Sequence, residues 1–396
     1  GAGKAMILRK ITLPLVLPAI LSAVILTFSK AIGTFGTINY LGSPVQYYTL
    51  SSQLYMNINS RDTQTGFAMA ILMIIIASIA VFVNQKLIGS RKSYATIGGK
   101  GGRSTLIGLG KVGRPVITAA LFVFFAVGII MPIVILVMES FMLKEGIYSL
   151  DNFTLHYWIG ESNPQIMEGL PGIFKNDEFI NSLFNSLRLT LVNGVFGTIF
   201  GQLLGYITAK GRGRLHGKLV EQLVFIPYLI PSVAFGGIYL SMFSQPQQIF
   251  GVTLVPALYG TFALLTLVSV VKHLPFAARA GTSNMLQISG ELEEAATIEG
   301  AGFFRRFVKI VFPLSKGGFI SGFMLIFVSI MKELDLIILI MTPTTSTLPY
   351  LAFRYQNGNS PQASDCVAIV MFSIVFLVYA IANLSGKADL AKSMAG

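Results

Sequence analysis

Charge is scarce in this chain. Of its 396 residues only 12% are Asp, Glu, Lys or Arg, roughly half the share in an ordinary soluble domain. So few charges cannot coat a water-facing surface, which excludes an ordinary cytosolic enzyme, and a disordered tail would be far less apolar. Cys366 is the one cysteine and has no partner in the chain, so a secreted disulfide scaffold is excluded as well. The three histidines, His156, His216 and His273, are scattered in or beside expected loops and read as solvated. No zinc-ligand spacing and no Ser-His-Asp arrangement is found, so the sequence points to no enzyme chemistry. What is abundant is apolar: 53% hydrophobic residues before 40 glycines are counted. Such a chain needs the bilayer as its solvent.

A helix crossing a ~30 Å hydrocarbon core takes about 20 mostly apolar residues. Eight runs qualify, near 12–33, 66–85, 115–138, 188–209, 219–243, 255–274, 311–331 and 365–385. The 255–274 run is interrupted by Gly and Thr. The 219–243 run carries Pro227 and Pro231, which predicts a kink covered by neighbouring helices. The expected fold class is all-α, a polytopic membrane protein with about eight transmembrane helices.

In a soluble protein the formal charge of +12 would raise nucleic-acid binding; here its placement decides. Segment 86–114 holds Lys86, Arg91, Lys92, Lys100, Arg103, Lys111 and Arg114 and no acid. Segments 210–218 and 272–316 are also rich in Lys and Arg, as are the stretch with Lys4, Arg9 and Lys10 and the tail with Lys387 and Lys392. Segment 139–180 instead holds seven acids against Lys144 and Lys175. The positive-inside rule then places both termini and the basic loops in the cytoplasm and 139–180 outside. The partner implied is a lipid bilayer, with no nucleic acid. Gly98–Thr105 lacks the Lys-Ser/Thr spacing of a phosphate-binding loop and reads as a flexible linker.

An internal repeat runs through the chain at an offset of 299. Gly1, Ala2 and Gly3 match Gly300, Ala301 and Gly302; Lys10 and Ile11 match Lys309 and Ile310; Pro14 and Leu15 match Pro313 and Leu314. Ser22, Leu26 and Phe28 then match Ser321, Leu325 and Phe327. Both copies run from the basic side into a span, so the repeat is parallel, a pseudo-two-fold rather than an inverted one. In the second copy, Ser289 to Glu299 reads as a short helix with acids in its first turn and Gly300 at the position that ends it. A second short helix with Arg305, Arg306 and Lys309 follows, and Pro313 marks the turn into the span. Leu292, Ala295, Ala296 and Glu299 share one face, which the alanines leave low enough to nest against another protein.

Glu294, Ala295 and Ala296, then Gly300, Ile310 and Pro313 at their spacing, resemble the EAA loop of ABC importer permeases, with Phe312 in place of the family's Leu. In the first copy Gly1, Ile11, Leu13 and Pro14 fit the same pattern, and the triplet itself would precede residue 1. The resemblance implies a fused permease of two six-span halves, of which about four spans would precede this chain. Residues 1–85 would then be the end of the first half, 86–114 a basic cytoplasmic linker and 115–396 the second half with six spans. It also implies a bacterial inner-membrane protein that couples to a cytoplasmic ABC ATPase homodimer through two loops. Those loops are Glu294, Ala295, Ala296, Gly300, Ala301, Ile310 and Pro313 in one copy, and Gly1, Ala2, Gly3, Ile11 and Pro14 in the other. An extracytoplasmic substrate-binding protein would deliver the cargo. No cofactor is implied in this chain; ATP would be bound by the partner ATPase.

The polar residues near the bilayer are Lys30, Asn193 and the group Lys332, Glu333 and Asp335. The last three are candidates for the pathway or its vestibule, or else an interfacial ion pair ending a helix. Met331 to Leu334, followed later by Thr347 and Leu348, resembles the second-half signature of fused iron(III) permeases, with Asp335 where Pro is usual. Gly33 to Gly36 with Leu41 and Gly42 resembles the first-half counterpart. Iron(III) is therefore the first-choice cargo, ahead of thiamine, phosphonate or polyamine. No metal site is assigned to the chain: Tyr47, Tyr48 and Tyr55 read as interfacial aromatics. The resemblance makes the acidic loop 139–180 with Trp158 a candidate docking surface for the binding protein. The alternative from another class, an ion-driven secondary transporter, would need carboxylates at the midplane of the spans before residue 331, and those spans have none there.

Overall fold

The computed structural model describes residues 3–89, 110–166 and 169–384, and their regular secondary structure is almost all helix. Gly1, Ala2, the segment 90–109 with Gly98–Thr105, and the tail lysines lie outside the described residues. The two ends of the expected linker are helical: Lys86 closes the helix Thr63–Gly89, and Lys111 and Arg114 open the next one, Gly110–Phe125. One element departs from the all-α expectation, a small antiparallel hairpin of Gln247–Ile249 and Val252–Val255. It ends at Val255, the first residue of the expected 255–274 span, whose helix begins only at Phe262 and runs to Met285.

Among the described residues six helices are long and apolar enough to cross a membrane. They are Thr63–Ala80, Gly110–Glu139, Asp177–Lys210, Phe262–Met285, Phe303–Met331 and Pro361–Leu384. The expected eight is not reached on this count. Leu13–Gly33 is an apolar helix of 21 residues but is not among the six. The 219–243 run is not a kinked span either. It is two helices, Leu215–Leu229 and Ser232–Phe243, bent by 97°, and it raises the count to seven only if taken as one. Pro231 at the junction offers no N–H, so the carbonyls before it lose their helical partners.

Asp177–Lys210 and Phe262–Met285 form the centre. Lipid tails are as apolar as Leu, so helices in a bilayer associate through close backbone approach rather than hydrophobicity. Gly201 and Gly205 supply that approach at four-residue spacing, while Gly197, one turn earlier, faces the Ile326 side chain. A Cβ on Gly205 would come within 2.5 Å of the Gly281 and Thr282 backbone. Phe312–Met331 closes this core through Ile326 and Ile330. Ser182 pairs with Ser346 at 2.9 Å, and Leu348 N–H donates to Ser186 at 2.7 Å, which ties the 342–348 turn to the central helix. Gly110–Glu139 buries no residue, and Phe122 and Phe124 are 70% and 76% exposed, a surface for lipid or for further protein.

The repeat is visible in the backbone. Leu8–Thr12 and Phe307–Val311 are both π turns, and each is followed after two residues by proline, Pro14 or Pro313. The ring collides with the carbonyl four residues back and widens the turn. Pro132 follows a third such turn, Ala126–Ile130, in the same way. Phe303–Met331 therefore runs unbroken for 29 residues. The expected second short helix and its turn at Pro313 are one continuous helix with a π turn. Further on, Leu50–Asn59 matches Leu348–Asn357, and Arg61 and Asn359 both take positive φ, 65° and 56°.

Candidate functional site

Two places carry the sequence-derived candidates. The first is the helix Gly290–Ile298, whose ends are built as its sequence dictates. Ser289 caps the N-terminus by accepting from Glu291 N–H at 3.3 Å, and Glu291 and Glu293 lie in the first turn. Gly300 takes φ +78°, a conformation open to glycine. Its N–H donates to Thr297 O, and Ala301 N–H donates to Ala296 O, so both orphan carbonyls are filled in a Schellman pattern.

The inward face of this helix turns on a residue that sequence reasoning passed over. Glu293 is buried, forms an ion pair with Lys210 Nζ at 2.5 Å and accepts from the Tyr206 hydroxyl at 2.6 Å, both partners lying at the end of the central helix. Burial pushes its carboxyl up, but the hydrogen bonds from Lys210 and Tyr206 and the charges of Lys210 and Arg306 outweigh that. They hold it below the ordinary carboxylate range. Thr297, one turn on, accepts from Arg306. The outward face shows Glu294, Ala295, Leu292 and Ile298, the last 86% exposed, while Ala296 and Ala301 are half-buried. Ile310 is half-buried and Pro313 exposed. In the first copy Gly3, Ile11 and Pro14 are exposed. Gly1 and Ala2 fall outside the described residues.

The second place is a cavity of about 780 Å³ between the two copies. Residues 30–41 of the first copy and 329–335 of the second line it, with the broken helix at 228–232 and one face of Phe262–Met285. Gly36 N–H donates to Asp335 Oδ1 at 2.8 Å, and these two residues are 299 apart, the offset of the repeat itself. A residue in contact with its own counterpart lies on the axis that relates them. Tyr55 and Phe353, counterparts at nearly the same offset, also meet edge to face at 6.1 Å. The cavity is therefore axial. Tyr47 is exposed and Tyr48 half-buried, and Tyr55 packs on Phe35 at 4.6 Å.

Lys332, Glu333 and Asp335 all line the cavity, as does Lys30. Asn193 does not; it is buried and bonds Leu189 O in its own helix at 2.7 Å. Glu333 accepts from Leu336 N–H at 3.0 Å and faces His273 Nε2 at 3.4 Å. His273 is 3% exposed inside Phe262–Met285, which corrects its reading as a solvated loop residue. Its Nδ1 meets Ser269 O at 2.9 Å, so both ring nitrogens face acceptors. Beside it, buried Lys272 donates to Pro227 O at 2.9 Å and to Ile230 O. That ammonium fills the carbonyls that the break at Pro231 leaves open, which is why the run can part into two helices inside the protein.

A duplicated helical unit with a cavity on its own symmetry axis has the architecture of a transmembrane permease. The model of the binding-protein-dependent transport system inner membrane component family matches residues 1–94 and 197–388, and the chain belongs to that family. With that family and six candidate spans among the described residues, it is a multi-pass membrane protein. The ferric transport system permease protein FbpB of Actinobacillus pleuropneumoniae is 22% identical over 97% of this chain and 53% of its own length. The chain thus spans about half of that relative. The molybdate/tungstate transport system permease protein WtpB of Thermococcus kodakarensis is 28% identical over 51% of this chain and 76% of its own length. A solved bacterial ABC transporter involved in import of the acidic polysaccharide alginate matches with TM-score 0.53 at 16% identity. It covers 68% of this chain and 94% of that one, a likeness of fold.

Proposed function

We propose that the chain is the pathway-forming part of an ATP-driven importer whose motor is a separate cytoplasmic ABC ATPase homodimer. The observation that supports this most is the Gly290–Ile298 helix, capped at both ends, locked inward through Glu293 and displaying Leu292, Ala295 and Ile298 outward. A short rigid helix of this kind passes a push from the motor to the Phe303–Met331 helix as rigid-body motion. The basic loops and both termini lie in the cytoplasm of a bacterial inner membrane, and a binding protein docks on the 139–180 side. Residues 1–85, 86–114 and 115–396 divide as first-half remnant, linker and second half. Gly300→Pro and Glu294→Lys each abolish uptake and ATPase stimulation in the full-length protein while membrane insertion is retained. Normal uptake in both would sink the coupling role.

Ferric iron is the cargo we favour. Two ferric permeases match over 97% and 90% of this chain, whereas sulfate and molybdate/tungstate permeases match over 51% to 58%. Uptake of labelled ferric iron, sulfate, molybdate and thiamine by cells carrying only this system separates these cargoes. Loss of ferric uptake on deletion is the expected result; loss of another alone reassigns the cargo.

A further inference from the structure

The charges on the axial cavity are unequally free. Both carboxylates are engaged in holding the chain's own turns: Asp335 takes the Gly36 N–H, and Glu333 takes the Leu336 N–H and faces His273. Among the described residues the three lysines have no carboxylate partner within ion-pair distance. Lys30 Nζ lies over the Tyr228 and Phe276 rings at 5.7 Å and 5.9 Å. Lys272 spends two of its three protons on Pro227 and Ile230 carbonyls. Lys332 is exposed on the cavity wall. A fourth positive element joins them. Ser232, on the wall, opens the helix Ser232–Phe243, and its N-cap Pro231 gives no side-chain cap. The N-terminus of a helix without a cap carries open N–H donors and the positive end of the dipole.

We propose that this cavity holds its cargo as an oxyanion, free or carried on a ferric ion, between Lys30, Lys272, Lys332 and the N-terminus of Ser232–Phe243. The inference rests on the importer reading and names the chemistry of its cargo. A bare trivalent cation would meet three ammonium groups here, and each of the two carboxylates already accepts a backbone N–H. An oxyanion meets donors already in place, and charge-assisted bonds of this kind are about twice as strong as neutral ones. A site on the axis also touches both copies, so motion of one copy against the other changes it directly.

The test uses the full-length permease with its ATPase subunit and three probes: molybdate, ferric citrate, and hexaamminecobalt(III) as an inert trivalent cation. Binding of molybdate or ferric citrate is expected, with none of hexaamminecobalt(III). Molybdate alone identifies a free oxyanion, and ferric citrate alone one carried on iron. The double variant Lys30→Gln/Lys332→Gln weakens binding by about tenfold or more, and Lys30→Arg/Lys332→Arg restores it. Lys30→Gln alone, at an exposed side chain, keeps the test open should the double variant misfold. Hexaamminecobalt(III) binding that tightens when the lysines are removed, or anion binding indifferent to them, overturns the proposal. Uptake that still requires Glu294 in that case leaves the importer reading standing, whereas ATP-independent uptake removes that reading itself.

Discussion

At the axis the first copy presents Gly33, Thr34 and Gly36, and the second presents their counterparts Lys332, Glu333 and Asp335. One position runs the other way, with Lys30 facing the cavity where the second copy has Ser329. Away from the axis the copies agree in backbone: the same π turn before the same proline, and the same left-handed residue after the same short helix. Local cues that set the chain's path have stayed alike in both copies, while the groups that line the cavity have diverged. Duplication supplied the frame, and the cavity's charge was divided unequally between its halves.

The axis is where this comparison breaks most readily. Asp335→Ala removes the acceptor for Gly36 N–H and leaves that half-buried donor unpaired between the copies. The loss is about 1.5–3 kcal/mol, the value of a hydrogen bond to a charged group. Thermal unfolding of the purified protein should show a lower Tm, with Asp335→Asn losing less because it keeps a carbonyl oxygen. Equal Tm values for the two variants would mean the contact does not join the copies.

Much of this was legible in the sequence, for stated reasons. Apolar length marked most of the spans, and Ser289, the acids after it and Gly300 marked both ends of the loop helix because caps are local chemistry. The Gly36–Asp335 pairing was also within reach, since its separation equals the repeat offset. Three things were hidden. His273 and Lys272 sit in an apolar helix, and nothing local says that their face meets a broken helix. The break itself depends on that lysine, a residue some 40 positions away from Pro231. Glu293 was overlooked beside Glu294 because which acid turns inward is set by Lys210 and Tyr206 on another element.

Glu293 gives a smaller, one-sided perturbation, since its partners belong to the second half alone. Glu293→Gln costs about 1 kcal/mol, at the upper end for a partly exposed ion pair. The pH sign follows from a carboxyl held low in the folded state. Its stabilisation is fully present above the unfolded pKa and is lost as pH falls through the folded one. The Tm difference between wild type and Glu293→Gln should therefore shrink on acidification below the ordinary carboxylate range. A difference that is constant or grows there contradicts the anchoring role.

The smallest effect sharpens the comparison instead of breaking it. Arg61 and Asn359 occupy matching turns with positive φ, but they do not bear that conformation equally. A branched-at-Cβ-free but long side chain such as Arg pays the αL cost of roughly 1–2 kcal/mol, whereas Asn is among the residues that tolerate it. Glycine removes the strain and gives back about 0.5–1 kcal/mol in unfolded-state entropy. Arg61→Gly should then stabilise by about 0.5 kcal/mol on that balance, and Asn359→Gly should be neutral or slightly destabilising. Tm measured on both variants decides it. If Asn359→Gly gained as much as Arg61→Gly, the two turns would share more than their backbone. The strain would belong to the duplicated frame and not to the residue that fills it.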